Sequence, residues 1–368
     1  MNITKIEWTN FTWNPVTGCP GPKVSIGCAN CYAERVMNGR LRQMYDEEKP
    51  FERIHFHLER LLQPYRVKKP QRVFVGSMTD IFHEEVEDQY INLIFATVVL
   101  CPQHTFMILT KRPDRMAAFI TDRSTRACDN RGHAYKSMCN RARVDSDMDG
   151  LPWPLPNLWL GVTVCNQAEA DAKIPLLLQT PAAKRFISVE PMLGPVRLDN
   201  LFYRPSLDDD TYNALTGEGN QPDAYEYPAY TRGGPKLDWV ICGGETGPNA
   251  RPMHPDWVRS LRDQCVAAGV PFFFKGWGEW YPFVKGGSFP EQKGYLCVYK
   301  YLPEQFRKGR YTHPEKLEEI NFSGRCFANG GVSFLSNIEE PNFYYSFKAG
   351  KKRAGRLLDG REWNEVPA

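Results

Sequence analysis

A chain of 368 residues with 42% hydrophobic content can bury a large core, and its length fits either two domains or a single α/β barrel. Its net charge of +3 is close to neutral, so overall electrostatics does not demand a nucleic-acid partner. No apolar run reaches the length of a membrane span and the start, MNITKIEWTN, is not a secretory signal, so no membrane partner and a cytoplasmic location are expected. Eleven cysteines, an odd number and scattered apart from an N-terminal trio, argue against a disulfide framework.

In chain order, residues 1–18 predict a first strand leading into the stretch from Trp13 to Val36, WNPVTGCPGPKVSIGCANCYAERV. Cys19, Cys28 and Cys31 stand there in a Cys-x8-Cys-x2-Cys arrangement. Three thiolates are one short of a closed structural zinc site or of the usual complement of a [4Fe–4S] cluster, so they point to a centre with one open position. Pro20, Gly21, Pro22 and Gly27 keep the segment irregular, and CYAERVMNGRL reads as a helix whose start would favour thiolates. Residues 46–65 form a connector with His55 and His57, read as surface histidines.

From there strands alternate with helices. QRVFVGSMTD precedes a helix with apolar positions 91, 94, 95 and 98, and HTFMILTKRPDRM repeats the plan. LWLGVTV leads to a helix capped by Asn166, and KRFISVEPML follows. DWVICGGETG leads to a helix with Pro255 in its first turn and Gly269 at its stop, and VPFFFKGWGEW closes the series. Near-continuous apolar strands between helices predict a parallel sheet covered on both faces, with a partial or complete (β/α) barrel leading and a doubly wound open sheet as the runner-up.

In a barrel the site lies at the C-terminal strand ends. Those ends carry Ser77, Thr79 and Asp80, then Thr110, Lys111 and Arg112, then Thr163, Ser188, Glu190, Gly243, Gly244, Glu245, Lys275 and Trp277. Two insertions interrupt the rhythm. Residues 121–156 are polar, with six Lys/Arg between Arg123 and Arg143 against one acidic residue, and residues 199–237 read as a long loop or lid. Cys128, His133 and Cys139 lack a fourth ligand and match no metal spacing. The expected organisation is a barrel over 1–280, with the cysteine loop at 13–36, and an extension over 281–368 that packs on the barrel or covers its mouth. That extension ends with a hairpin turn at Asp359-Gly360.

The motifs TGC…GCANCYAE, VGSMTDIFHE, LTKRPDRM, LWLGVTV, ISVEPMLGP, VICGGETGPNARPM and LLDGREWNEVP together resemble a family of phage and prophage proteins of unknown function. That family in turn resembles the radical S-adenosylmethionine (SAM) superfamily. The resemblance implies a TIM-like barrel of the radical SAM type in which Cys19, Cys28 and Cys31 ligate a [4Fe–4S] cluster. The fourth iron is then left for SAM, and an external donor supplies the electron. It implies a 5′-deoxyadenosyl radical acting on an unknown substrate, with a nucleotide or nucleic acid the class that the basic insertion would suit.

Ser77, Asp80, Ser188, Glu190 and Lys275 are then candidates for holding SAM or substrate, and Tyr32, directly after the last cysteine, is a further candidate for the cofactor. Glu190, Lys275 and Glu245 are the candidate catalytic groups, with Glu245 facing the substrate. Two other readings compete: a non-enzymatic Fe–S or zinc binding module whose fourth ligand is Cys165, Cys242 or a histidine, and a metal-dependent nuclease or hydrolase using Asp80, Glu190 and Glu245.

Overall fold

The computed structural model describes residues 1–121, 125–142, 152–202, 211–220, 233–283, 294–300, 316–322 and 343–367. Eight strands form the main sheet: β1 (Asn2–Ile3), β2 (Phe11–Trp13), β3 (Arg72–Val75), β4 (Thr105–Thr110), β5 (Leu158–Thr163), β6 (Lys184–Val189), β7 (Trp239–Gly243) and β8 (Phe272–Gly276). β1 pairs antiparallel with β2, and every later neighbour is parallel. Each strand lies beside the next in sequence. A doubly wound sheet reverses its order at a switch point, and this one never does. Right-handed crossovers that all advance in one direction put the helices on one face and curl the sheet into a half-barrel.

The alternation along the strands assigns the two faces. Val73, Phe106, Ile108, Leu160, Val162, Ile187, Val240 and Phe272 point outward into the main core. There they meet α2 (Asp88–Val99), α3 (Pro113–Thr121), α5 (Gln167–Gln179) and α6 (Pro255–Ala268), whose buried faces belong to the same cluster. The period predicted for α2 holds: Ile91, Ile94, Phe95 and Val98 are all buried. Asn166 caps α5 by accepting from the Glu169 N–H (3.0 Å). Pro255 opens α6, and Gly269 closes it in the left-handed region (φ 66°).

Inward-pointing residues of the same strands form a second, aromatic cluster. Trp8 plugs it from the β1–β2 connection, against Met107, Trp159, Phe186, Trp239 and Phe273. Trp239 lies edge-on to Trp8 (6.1 Å), Trp159 (6.2 Å) and Phe273 (6.1 Å), the arrangement that ring quadrupoles favour. Gly161 makes room in this layer, since a Cβ there would come within 2.6 Å of the Phe186 ring. The half-barrel is therefore solid at its floor and polar only at its mouth.

Two sequence expectations need correction, and the first insertion, read from sequence only as polar, contains an 18-residue helix, α4 (Thr125–Ala142). Its Ala134 and Met138 are buried in the main core. The second holds a small antiparallel sheet (Leu201–Phe202, Thr211–Asn213, Glu218–Asn220), and Tyr212, Ala214 and Leu215 join the main core rather than standing off as a lid. Residues 143–151, 203–210 and 221–232 of these insertions lie outside the described ones. His55 and His57 are not loose surface groups: Nε2 of His55 bonds the Pro50 carbonyl (2.9 Å), and Nε2 of His57 bonds the Thr17 hydroxyl (2.9 Å).

The C-terminal stretch returns to the barrel. Residues 363–365 run antiparallel along β8, with Phe274 N–H donating to the Trp363 carbonyl (2.9 Å) and Trp239 Nε1 to the Glu365 carbonyl (2.8 Å). The tail thus covers the exposed edge of β8 rather than the mouth. The hairpin turn at Asp359-Gly360 is present, with both residues at positive φ and Leu358 bridging Arg361.

Candidate functional site

The cysteine loop lies across the mouth because it is tied to the ends of four strands. After β3, the Thr79 hydroxyl donates to the Gly18 carbonyl (2.5 Å), and Nε2 of the buried His83 bonds the Pro20 carbonyl (2.9 Å). Gly18 is required here: it sits at φ 91°, and a Cβ would stand 1.7 Å from the Arg53 carbonyl oxygen. After β4, Arg112 donates to the Pro22 carbonyl (3.2 Å) and approaches the Cys19 sulfur (3.9 Å).

Beyond β5, the Glu169 carboxylate accepts from the Ser25 hydroxyl (2.8 Å), the Ile26 N–H (2.9 Å), the Cys165 N–H (3.2 Å) and Lys173 Nζ (2.9 Å). Burial alone would raise this carboxyl, but Lys173 and the hydrogen bonds hold it below its usual range. Beyond β7, Glu245 accepts from Asn30 Nδ2 (3.0 Å), and Arg251 joins it through Nη2 (2.5 Å) while reaching the Ile26 carbonyl (3.1 Å).

Ser25 caps a 3-10 turn over Ile26–Asn30, and Cys31 is the N-cap of α1 (Tyr32–Met37), which is shorter than the predicted helix. Cys19, Cys28 and Cys31 are all part-exposed. Cys19 and Cys31 pack against one small cluster of Ala33, Met37 and Phe51. Burial, and next the Asp80 charge, push the Cys19 thiol up to about 11. Among the described residues no group of three or more His, Cys, Asp or Glu is placed so as to hold a metal ion. The donors suit a soft metal in kind and belong to one clamped loop; ligation would require their side chains to turn toward one centre.

Cys165 lies directly beneath this loop, 3.6 Å from the Ser25 hydroxyl, and a Cβ on Gly27 would be 2.8 Å from its sulfur. Cys242 does not reach the mouth: it is fully buried, on the outer face of β7, and its sulfur contacts that of Met192 (3.7 Å). On α4, Cys139 is buried and His133 exposed, so these two do not share a site.

The other predicted residues divide into free and engaged groups. Glu190 and Lys275 form an ion pair (2.6 Å) across Gly243, facing the barrel interior. Ser188 lies below them, 2% exposed. Tyr32 is half-exposed on the lip. Asp80 is saturated by the Thr110 hydroxyl (2.6 Å), the Lys111 N–H (2.9 Å), the Phe82 N–H (3.1 Å) and Arg112 (3.5 Å). Ser77 bonds Asn14 (3.1 Å), and both oxygens of Glu245 belong to its clamp on the loop. Arg112, Glu169 and Arg251 complete the site without having been singled out from sequence as site residues, and Cys165 was named there only as a possible fourth ligand. Arg112 sat among the strand-end residues, but nothing in a linear pattern marks Glu169 and Arg251 as partners of the cysteine loop.

Fold and site define a class: a sequentially wound α/β half-barrel with a three-cysteine loop clamped across its mouth. Residues 3–367 match a family described as a protein of unknown function (DUF5131), and the chain belongs to that family. No curated protein and no solved structure matches it.

Proposed function

We propose that this protein is a radical SAM-type iron–sulfur enzyme of phage or prophage setting. The observation that supports the reading is the place of the Cys-x8-Cys-x2-Cys loop, clamped across the mouth of a parallel half-barrel at the strand ends where barrel enzymes hold their reactants. These three residues would hold a [4Fe–4S] cluster and leave one iron for SAM. When bound, that group supplies one-electron cleavage of SAM and a 5′-deoxyadenosyl radical.

The rest of the work belongs to the chain. Thr79, Arg112, His83 and Glu169 hold the loop in place through the bonds described above, and Asp80 holds Arg112. The aromatic floor closes the barrel interior to water from below. Glu190 and Lys275, paired at 2.6 Å, keep a proton donor and an acceptor together at the mouth, where a substrate would meet them. The substrate class this reading favours is a nucleotide or nucleic acid, and an external donor would supply the electron that reduces the cluster.

The test is electron paramagnetic resonance of anaerobically reconstituted, dithionite-reduced protein. A four-iron signal perturbed by SAM is expected, and a signal indifferent to SAM would sink the proposal. A second reading is favoured by the place of Cys165: a fourth thiol closing the set would make the centre structural. Zinc without iron in the same preparation, lost on Cys165→Ala, selects that reading.

A further inference from the structure

The rim carries four carboxylates from four strand ends, and each has its own cation. Asp80 pairs with Arg112 (3.5 Å), Glu169 with Lys173 (2.9 Å), Glu190 with Lys275 (2.6 Å) and Glu245 with Arg251 (2.5 Å). Lys111 is what remains. It follows β4 in the inward-facing series Met107, Leu109, Lys111, so its side chain enters the mouth. Its backbone N–H is bonded to Asp80 (2.9 Å). Among the described residues its ammonium makes no hydrogen bond or ion pair. Asp80 in turn pairs with Arg112, which donates to the Pro22 carbonyl, so Lys111 stands at the strand end that the cysteine loop crosses.

A half-buried ammonium without a carboxylate is costly unless something negative meets it. The surrounding carboxylates already face other cations, with Arg112 shared by Asp80 (3.5 Å) and Glu84 (3.4 Å). We propose that Lys111 is the anchor of a small-anion site at the barrel mouth, taking the carboxylate or phosphate group of a ligand that enters beneath the cysteine loop. The site needs no metal, and it stands whether or not the thiols hold one. One negative group of the ligand faces Lys111, and the remainder lies toward the Glu190–Lys275 pair and the Ser188 hydroxyl.

The test uses the full chain, stripped of metal, because a cluster on the thiols would be a competing countercharge. Its thermal midpoint is followed against inorganic phosphate and, separately, acetate, at constant ionic strength in sodium chloride. Saturable stabilisation is expected from at least one anion. Lys111→Met should weaken it about tenfold or more, and Lys111→Arg should retain it within a few-fold. Preference for phosphate or for acetate identifies which chemistry the ligand carries.

A response identical in the wild type and Lys111→Met would mean an adventitious ion effect only and would overturn the assignment, as would the absence of saturation in the wild type. Iron and zinc are counted on the unstripped protein. An anion site without iron therefore removes only the proposed function, and iron without an anion site removes only this inference.

Discussion

At the scale of single residues, the site is held together by buried carboxylates rather than by the cysteines themselves. Glu169 shows this most clearly. One carboxylate, 13% exposed, joins the loop at Ser25 and Ile26 to the strand end at Cys165 and to Lys173. Removing it leaves the Lys173 ammonium unpaired in a largely buried place. Glu169→Ala should therefore cost about 3 kcal/mol or more in urea unfolding. It should also speed modification of Cys28 by a thiol reagent in protein that is still folded. Glu169→Gln, which can still accept from Ser25 and Cys165, should lose less. Equal reactivity of Cys28 in all three proteins would show that the clamp does not order the loop.

At the scale of elements, the tail is a strand in all but length. Trp363 is 9% exposed, and its ring meets that of Phe272 at 6.0 Å. The N–H of Phe274 spends its hydrogen bond on the tail rather than on solvent. Trp363→Ala should cost about 3–5 kcal/mol by thermal or denaturant melting. It should also produce concentration-dependent association in gel filtration, because the freed edge of β8 can pair with another chain.

This element also marks how far the sequence could be read. Helices α2, α5 and α6, the caps of the last two and the turn at Asp359-Gly360 were legible because local chemistry determines them. Asn166, Pro255, Gly269 and the spacing of Ile91, Ile94, Phe95 and Val98 act within a turn or two of themselves. The docking of Trp363 on β8 was not legible, nor was α4, because its hydrophobic side is thin and its polar composition masks the two or three residues that anchor it. At the mouth, strand ends revealed Lys111, Arg112, Glu190 and Lys275 as a set. The pairing of Glu245 with Arg251, and of Glu169 with Ser25, depends on three-dimensional proximity that no spacing records.

At the scale of the whole molecule, stability should fall on the acid side of neutrality for a specific reason. Burial pushes the imidazoles of His57 and His254 down to about 4. His254 caps α6, its Nδ1 accepting from the Asp256 N–H (3.1 Å), and a proton on that atom abolishes the cap. The unfolded chain takes up a proton near the ordinary histidine value of about 6.5, and the folded chain only near 4. Between these values the unfolded state binds more protons. The stabilisation is thus complete above about 6.5 and is lost as pH falls toward 4. Thermal midpoints should follow that slope in wild-type protein. His254→Asn, which caps without titrating, should flatten it, and an unchanged slope in that variant would clear His254 of the role.

The clamps on the cysteine loop have a consequence for the order in which the molecule comes together. Thr79, Arg112, Ser25–Glu169 and Ile26–Arg251 link residues 61, 90, 144 and 225 positions apart. Each such closure is entropically expensive until the strands it spans are already in place. The loop can reach its final shape only after β3 through β7 have assembled around the aromatic floor. Its three thiols therefore stay open to solvent and reagents for as long as any of those strands is missing. In a refolding time course, protection of Cys19, Cys28 and Cys31 should be the last event, arriving after the burial of Trp239.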